Sequence, residues 1–143
     1  MSYDINLLDP ITKNVIEIND AHFLRGGTYK MGGSTELSLN MTYNYSEFFH
    51  KVLNPKSTPS KYDSGIRSLY GMTALEAIPI LEAAISKLKS DFDEDYWSPT
   101  EGNTKRALNN LLTMCKMRPD AIIDGDWKWT KFYNLCYKIN IIW

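Results

Sequence analysis

Apolar and polar positions change their rhythm part-way along the chain. Tyr3, Ile5 and Leu7 alternate with polar neighbours, Asp9-Pro10 opens a turn, and Val15-Ile16-Glu17-Ile18 returns. That pattern predicts an antiparallel hairpin, and His22 to Leu24 is read as the start of a third strand. From Glu36 to Tyr45 the alternation is strict: Leu37, Leu39, Met41, Tyr43 and Tyr45 share one face, and Glu36, Ser38, Asn40, Thr42 and Asn44 the other. A two-residue period of this length predicts a strand.

Beyond Tyr45 the period lengthens. Ser46 to Leu53 reads as a short helix, followed by an exposed loop over 54–65 rich in Pro and Ser. Thr73-Ala74-Leu75-Glu76 fits a capping box, with Leu75, Ile78, Leu81, Ile85 and Leu88 predicted as its apolar stripe. Pro79 is expected to bend that helix or delay its start. A second box, Ser98-Pro99-Thr100-Glu101, places Pro at the first helical position. Leu108, Leu111, Leu112 and Cys115 form the second stripe, and Arg118-Pro119 stops it. In the tail, Trp129, Phe132, Leu135, Cys136 and Ile139 favour a helix, while Ile139 to Trp143 also fits a strand. Strands before helices imply an α+β fold. The expectation is a single domain over 1–143, β-rich over 1–45 and helical over 46–143. An N-terminal antiparallel sheet should pack against two or three C-terminal helices.

Composition narrows the functional classes. Sixteen basic and seventeen acidic residues among 143 leave a formal charge of -1, so net charge supplies no general grip on nucleic acid. Two cysteines without CxxC spacing suit a reduced compartment. The N-terminus has no signal-like pattern, and no apolar run approaches the roughly 18 residues of a membrane span. A cytoplasmic protein with no membrane partner is expected. The aromatic share of 13% supplies both core volume and adhesive surface.

The motifs that suggest chemistry fall short of it. The stretch Arg25-Gly26-Gly27-Thr28-Tyr29-Lys30-Met31-Gly32-Gly33-Ser34 resembles a phosphate loop. Such a loop needs Lys where Gly33 stands and a helix where this chain places a strand. The glycines therefore read as turns that present Arg25 and Tyr29. Asp91-Phe92-Asp93-Glu94-Asp95 opens like a calcium loop, but Tyr96 replaces its glycine and Gly102 its closing glutamate. It reads as a solvated acidic connector. His22 and His50 have no local nucleophile signature, and the cysteines lie on apolar stripes. No cofactor, metal or catalytic residue is assigned.

Binding candidates remain. Asn40 and Asn44 are unusual on a strand's wet face, and Arg67 and Tyr70 precede a capping box, where an anion can meet free helix amides. Lys105-Arg106, with Lys116 and Arg118 further on, forms a small basic face. The residues expected to bind a ligand or partner are Arg25, Tyr29, Asn40, Asn44, Arg67, Tyr70 and Arg106.

The segments RGGTY (25–29), LNMTYNYS (39–46), GIRSLYGMT (65–73), DYWSPTEGN (95–103) and KMRPD (116–120) together resemble a group of small uncharacterised proteins encoded by bacteriophages, prophages and other mobile elements. The likeness spans about residues 3–127 and departs from Trp127 onward. It brings no catalytic residues to carry over. What it implies is a mobile-element context alone, in which small non-enzymatic proteins often modulate host defences or host machinery. The expectation is accordingly an accessory binding protein, a counter-defence inhibitor occluding a host protein or nucleoprotein, in the host cytoplasm if phage-encoded. The alternatives are a sponge for a nucleotide-like anion, with Arg25 or Arg67 on the phosphate, and a small nucleotide-acting enzyme with Glu36 or Glu101 as base.

Overall fold

Tyr3, Ile5 and Leu7 all turn inward, as their alternation requires, and they make the first strand the centre of the fold. The computed structural model describes residues 2–24, 33–53 and 65–125. In it, β1 (Ser2–Leu8) is the middle of a three-stranded antiparallel sheet, flanked by β4 (Ser38–Thr42) and β5 (Ile122–Gly125). Tyr3 faces Met41, Ile5 lies between Leu39 and Gly125, and Leu7 faces Ile123. One sheet face is therefore apolar and buried, while Ser2, Asp4, Asn6, Asn40 and Asp124 occupy the other.

The predicted hairpin is only partly present. Asp9 accepts the amides of Ile11 and Thr12 and turns the chain, but β1 meets the returning segment only at the Leu8–Val15 bridge. β2 (Glu17–His22) instead pairs with β3 (Ser34–Glu36) in a separate two-stranded sheet, so His22 ends a second strand and does not begin a third. The ten-residue strand expected over 36–45 is likewise interrupted. Leu37 donates to the carbonyl of Ile16 and accepts from the amide of Leu7, so the chain passes from one sheet to the other there. At the far end, the Thr42 hydroxyl accepts the Asn44 amide and starts a 3₁₀ turn, Tyr43–Tyr45. Most of the expected face survives these breaks: Leu37, Leu39, Met41 and Tyr45 are buried, while Tyr43 is half-buried and Thr42 of the opposite face is buried.

α1 (Ser46–Val52) follows at once and buries Phe49 and Val52. α2 (Ala74–Ser86) opens on the predicted capping box, with both Thr73 and Glu76 bonds made. Its buried row keeps part of the predicted stripe: Leu81 and Leu88 are buried and Ile78 and Ile85 pack against the core half-buried, but Leu75 does not turn inward. Ala74, Ala77, Leu81 and Ala84 face inward, and Leu75 is 64% exposed. The Ala74 amide donates to the Ala121 carbonyl and the Leu75 amide to that of Pro119, which sets the rotation of the helix. Small alanines then let α2 lie closely against α3. Pro79 sits inside α2 and does not delay its start.

α3 (Glu101–Met117) starts one cap later than predicted: Thr100, not Ser98, accepts the Asn103 amide, and Pro99 lies ahead of the cap. Leu108, Leu111, Leu112 and Cys115 are buried as expected, and the helix stops before Pro119. β5 was not foreseen, because its four residues carry too short an alternation to stand out. The observed architecture is α+β, with strands mostly early in the chain, helices mostly later and one contiguous core. No described helix is long and apolar enough to cross a membrane. The glycine stretch from Arg25 to Gly32, most of the 54–65 loop, Cys136 and the tail from Trp127 lie outside the described residues.

Candidate binding surface: a stapled aromatic loop

The predicted binding residues separate into different surroundings. Arg67 sits in a 3₁₀ turn, Ile66–Leu69, beneath the end of the sheet. Its guanidinium lies 5.0 Å from the Tyr3 ring centroid and 5.7 Å from that of Tyr43, and it donates to the Tyr43 hydroxyl at 2.9 Å. Tyr3 and Tyr43 lean on each other at 4.4 Å, and the Tyr3 hydroxyl bonds Ser46 at 2.6 Å. Arg67 is thus half-buried inside a tyrosine cage, where stacking and a hydrogen bond hold it. Tyr70 is also turned to packing: its ring lies against Gly125, where any Cβ would collide with it.

The polar face expected on the long strand is divided. Glu36 belongs to the smaller sheet, and Thr42 is buried as a cap. Asn40 donates to Ser2 at 2.7 Å and also to the Asp4 carboxylate, so its amide works across the outer sheet face. Asn44 leaves the sheet altogether and donates to the Trp97 carbonyl at 2.9 Å. Arg25 and Tyr29 lie outside the described residues.

Asn44 and Arg106 converge on the connector between α2 and α3. Here Phe92 is 56% and Trp97 52% exposed, although the backbone that carries them is tightly held. Asn103, only 1% exposed, makes the central staple. Its side-chain oxygen accepts the Asp93 amide at 3.0 Å, and its nitrogen donates to the carbonyls of Asp95 at 3.0 Å and Ser98 at 3.1 Å. Arg106 donates to the same Asn103 oxygen at 3.1 Å and lies 5.6 Å from the Phe92 centroid.

The loop is clamped from both ends. Asp91 accepts the Gly102 amide at 3.0 Å, and a Cβ on Gly102 would come within 2.6 Å of the Asp91–Phe92 backbone. Glycine at the second position of α3 is what allows this approach. Asp93 accepts the Asp95 amide at 2.8 Å, and Asp95 that of Trp97 at 3.1 Å. The carboxylates that resemble a calcium loop thus turn oxygens toward their own backbone. Tyr45 donates from the core to the Tyr96 carbonyl, and the Tyr96 ring packs on Tyr45 at 6.3 Å and on Trp97 at 4.8 Å. Burial, assisted by neighbouring Tyr96, pushes the Tyr45 hydroxyl up to about 12, so it remains a donor at neutral pH.

The other chemical candidates are accounted for in the same terms. Burial raises the Cys115 thiol to about 12, which leaves it protonated and a poor nucleophile. Glu101 accepts the Lys89 amide at 3.3 Å, a further loop contact. The predicted basic face does not act as a unit: Lys105 donates to Ser90, whereas Arg118 reaches Asp120 at 2.8 Å and Asp9 at 3.7 Å.

Sequence reasoning missed Gly102, Asn103, Phe92 and Trp97. A usable signal existed, because Gly-Asn in the first turn of a helix is unfavourable unless each residue has local work to do. The geometry defines a small α+β chain that displays two aromatic side chains on a pre-shaped loop. No protein-family model, no curated protein and no solved structure matches the chain.

Proposed function

We propose that the chain is an accessory binding protein of mobile-element type that acts by occlusion, covering a functional surface of a host protein or nucleoprotein. The observation that carries this reading is that Phe92 and Trp97 are both exposed on one loop whose backbone is held by Asn103 and Gly102. Aromatic residues and arginine dominate the energetics of protein interfaces, and a loop already in its bound shape loses little entropy on docking. Phe92 and Trp97 are the anchors, and Arg106, Asn44 and Asn103 hold them in place. This function requires neither a nucleophile nor a cofactor.

Affinity capture from host lysate tests the reading. The wild-type chain should retain a specific partner, and the Phe92→Ala/Trp97→Ala double variant should lose it while keeping the wild-type melting profile. Equal retention by the folded double variant refutes the assignment of the loop. A thermal-shift panel of nucleotides separates the sponge alternative, since a bound nucleotide would raise the melting temperature with concentration.

A further inference from the structure

The proposed docking loop carries a second property that selects among partners. Four carboxylates, Asp91, Asp93, Glu94 and Asp95, surround Phe92 within five positions, and no lysine or arginine interrupts them. All four residues are exposed, and none of them enters an ion pair among the described residues. The nearest guanidinium, that of Arg106, is engaged with Asn103 and the Phe92 ring. Among the described carboxylates only Asp9 and Asp120 enter an ion pair, both with Arg118, so what sets the loop apart is the density of its carboxylates. The loop thus joins two exposed aromatic anchors to a carboxylate-rich rim, with Lys89 and Lys105 confined to its Ser90 end, although the whole chain is close to neutral.

We infer that the occupant of this surface is a cationic protein face, an apolar cleft rimmed by lysine and arginine side chains. Phe92 and Trp97 enter the cleft, while the carboxylates meet its rim. This rests on the docking role proposed above and adds the chemistry of the partner. The aromatic pair supplies the desolvated centre of the contact; the carboxylates steer approach and reject acidic or neutral competitors. The oxygens that Asp91, Asp93 and Asp95 turn to backbone amides keep the rim in register with the rings. Glu94 holds no loop amide among the described residues, so its carboxylate can be altered without loosening the staple.

The test uses the full chain and synthetic peptides that share a Leu-Phe-Leu centre, flanked either by arginines or by glutamates, with binding followed by amide chemical shifts. The arginine-flanked peptide should move the signals of Phe92 to Trp97, and the glutamate-flanked peptide should not. Glu94→Lys should weaken the arginine-flanked peptide by about tenfold, through loss of one contact and gain of one repulsion. Phe92→Ala should remove binding while leaving the other amides in place. Equal shifts with both peptides would overturn the charge preference but leave the loop as a docking surface. Shifts scattered over Glu17, Asp20 and Glu82 would overturn the inference as unspecific attraction, and so would silence toward both peptides. Neither of those results bears on capture of a partner from lysate, which tests the docking role separately.

Discussion

Arg67 and Arg106 each lie over an aromatic ring and each make a hydrogen bond at about 3 Å, yet they serve opposite ends. Arg67 is enclosed by Tyr3 and Tyr43, and its interactions knit the first strand to the turn that precedes α2. Arg106 lies at the surface, and the ring it supports faces solvent. The tyrosine cage spends its aromatic area on stability; the loop leaves its area available and spends hydrogen bonds on shape. An arginine near tyrosines is therefore not in itself a binding site. What distinguishes the two regions is where the apolar area goes once the polar groups are satisfied.

The largest effect should come from removing the staple. Asn103→Ala leaves the Asp93 amide and the Asp95 and Ser98 carbonyls without their bonds, and should cost about 3 kcal/mol in urea unfolding. A loss below about 1 kcal/mol would mean that the loop holds its shape without Asn103. Breaking the cage comes next. Arg67→Ala removes two ring contacts and the bond to Tyr43, for about 2 kcal/mol, and Arg67→Lys should recover only part of that because it cannot stack as a plane. Phe92→Ala should cost under about 1 kcal/mol in the same assay, since its ring is mostly exposed. If Phe92→Ala proved as costly as Arg67→Ala, the contrast between an inward and an outward cluster would collapse.

Titration gives a finer separation. The folded state holds the Cys115 proton up to about 12, whereas the unfolded thiol releases it near 9.0. Stability from this group is complete below about pH 9 and falls as pH rises toward the folded value. Tyr45, raised from 10.0 to about 12, adds to the same alkaline loss and couples it to the loop through Tyr96. The alkaline slope of stability should therefore be shallower in Cys115→Ala. The smallest effect is on the acid side. Backbone amides of Thr12 and Ile11 hold Asp9 below its usual range, and the Arg118 hydrogen bond does the same for Asp120. Both contributions are present above about pH 4 and vanish as pH falls through the lowered values. Arg118→Ala should flatten that acid limb slightly.

Much of the fold was legible because it is written in local periods. The alternation of Tyr3, Ile5 and Leu7, the capping box at Thr73, the stripe from Leu108 to Cys115 and the stop before Pro119 each depend on near neighbours alone. The α2 rotation was legible only in part, since Leu81 and Leu88 are buried as the stripe requires and Leu75 is not. Leu75 is the more hydrophobic residue, but the inward face is decided by the bonds of Ala74 and Leu75 to the 119–121 segment. The candidate site was half legible for a similar reason. Asn44 stood out as a polar residue rare on a strand and Arg106 as part of a basic face, and both reach the loop, though for other reasons. Asn103 did not stand out, because a staple is visible only when the carbonyls it bridges are in place. Arg67 and Tyr70 drew attention by their place before a capping box, while the structure directs one into a cage and the other onto Gly125.

The place of β1 has a consequence for how the chain comes into being. The strand nearest the start of the sequence is the central strand of its sheet, and one of its two partners is β5, at Ile122–Gly125. A nascent chain therefore emerges with its middle strand first and must wait for more than a hundred residues before the second edge arrives. Until then Ile5 and Leu7 lack the neighbour that covers them, and that interval is when a ribosome-bound chain is most exposed to chaperone capture or mispairing.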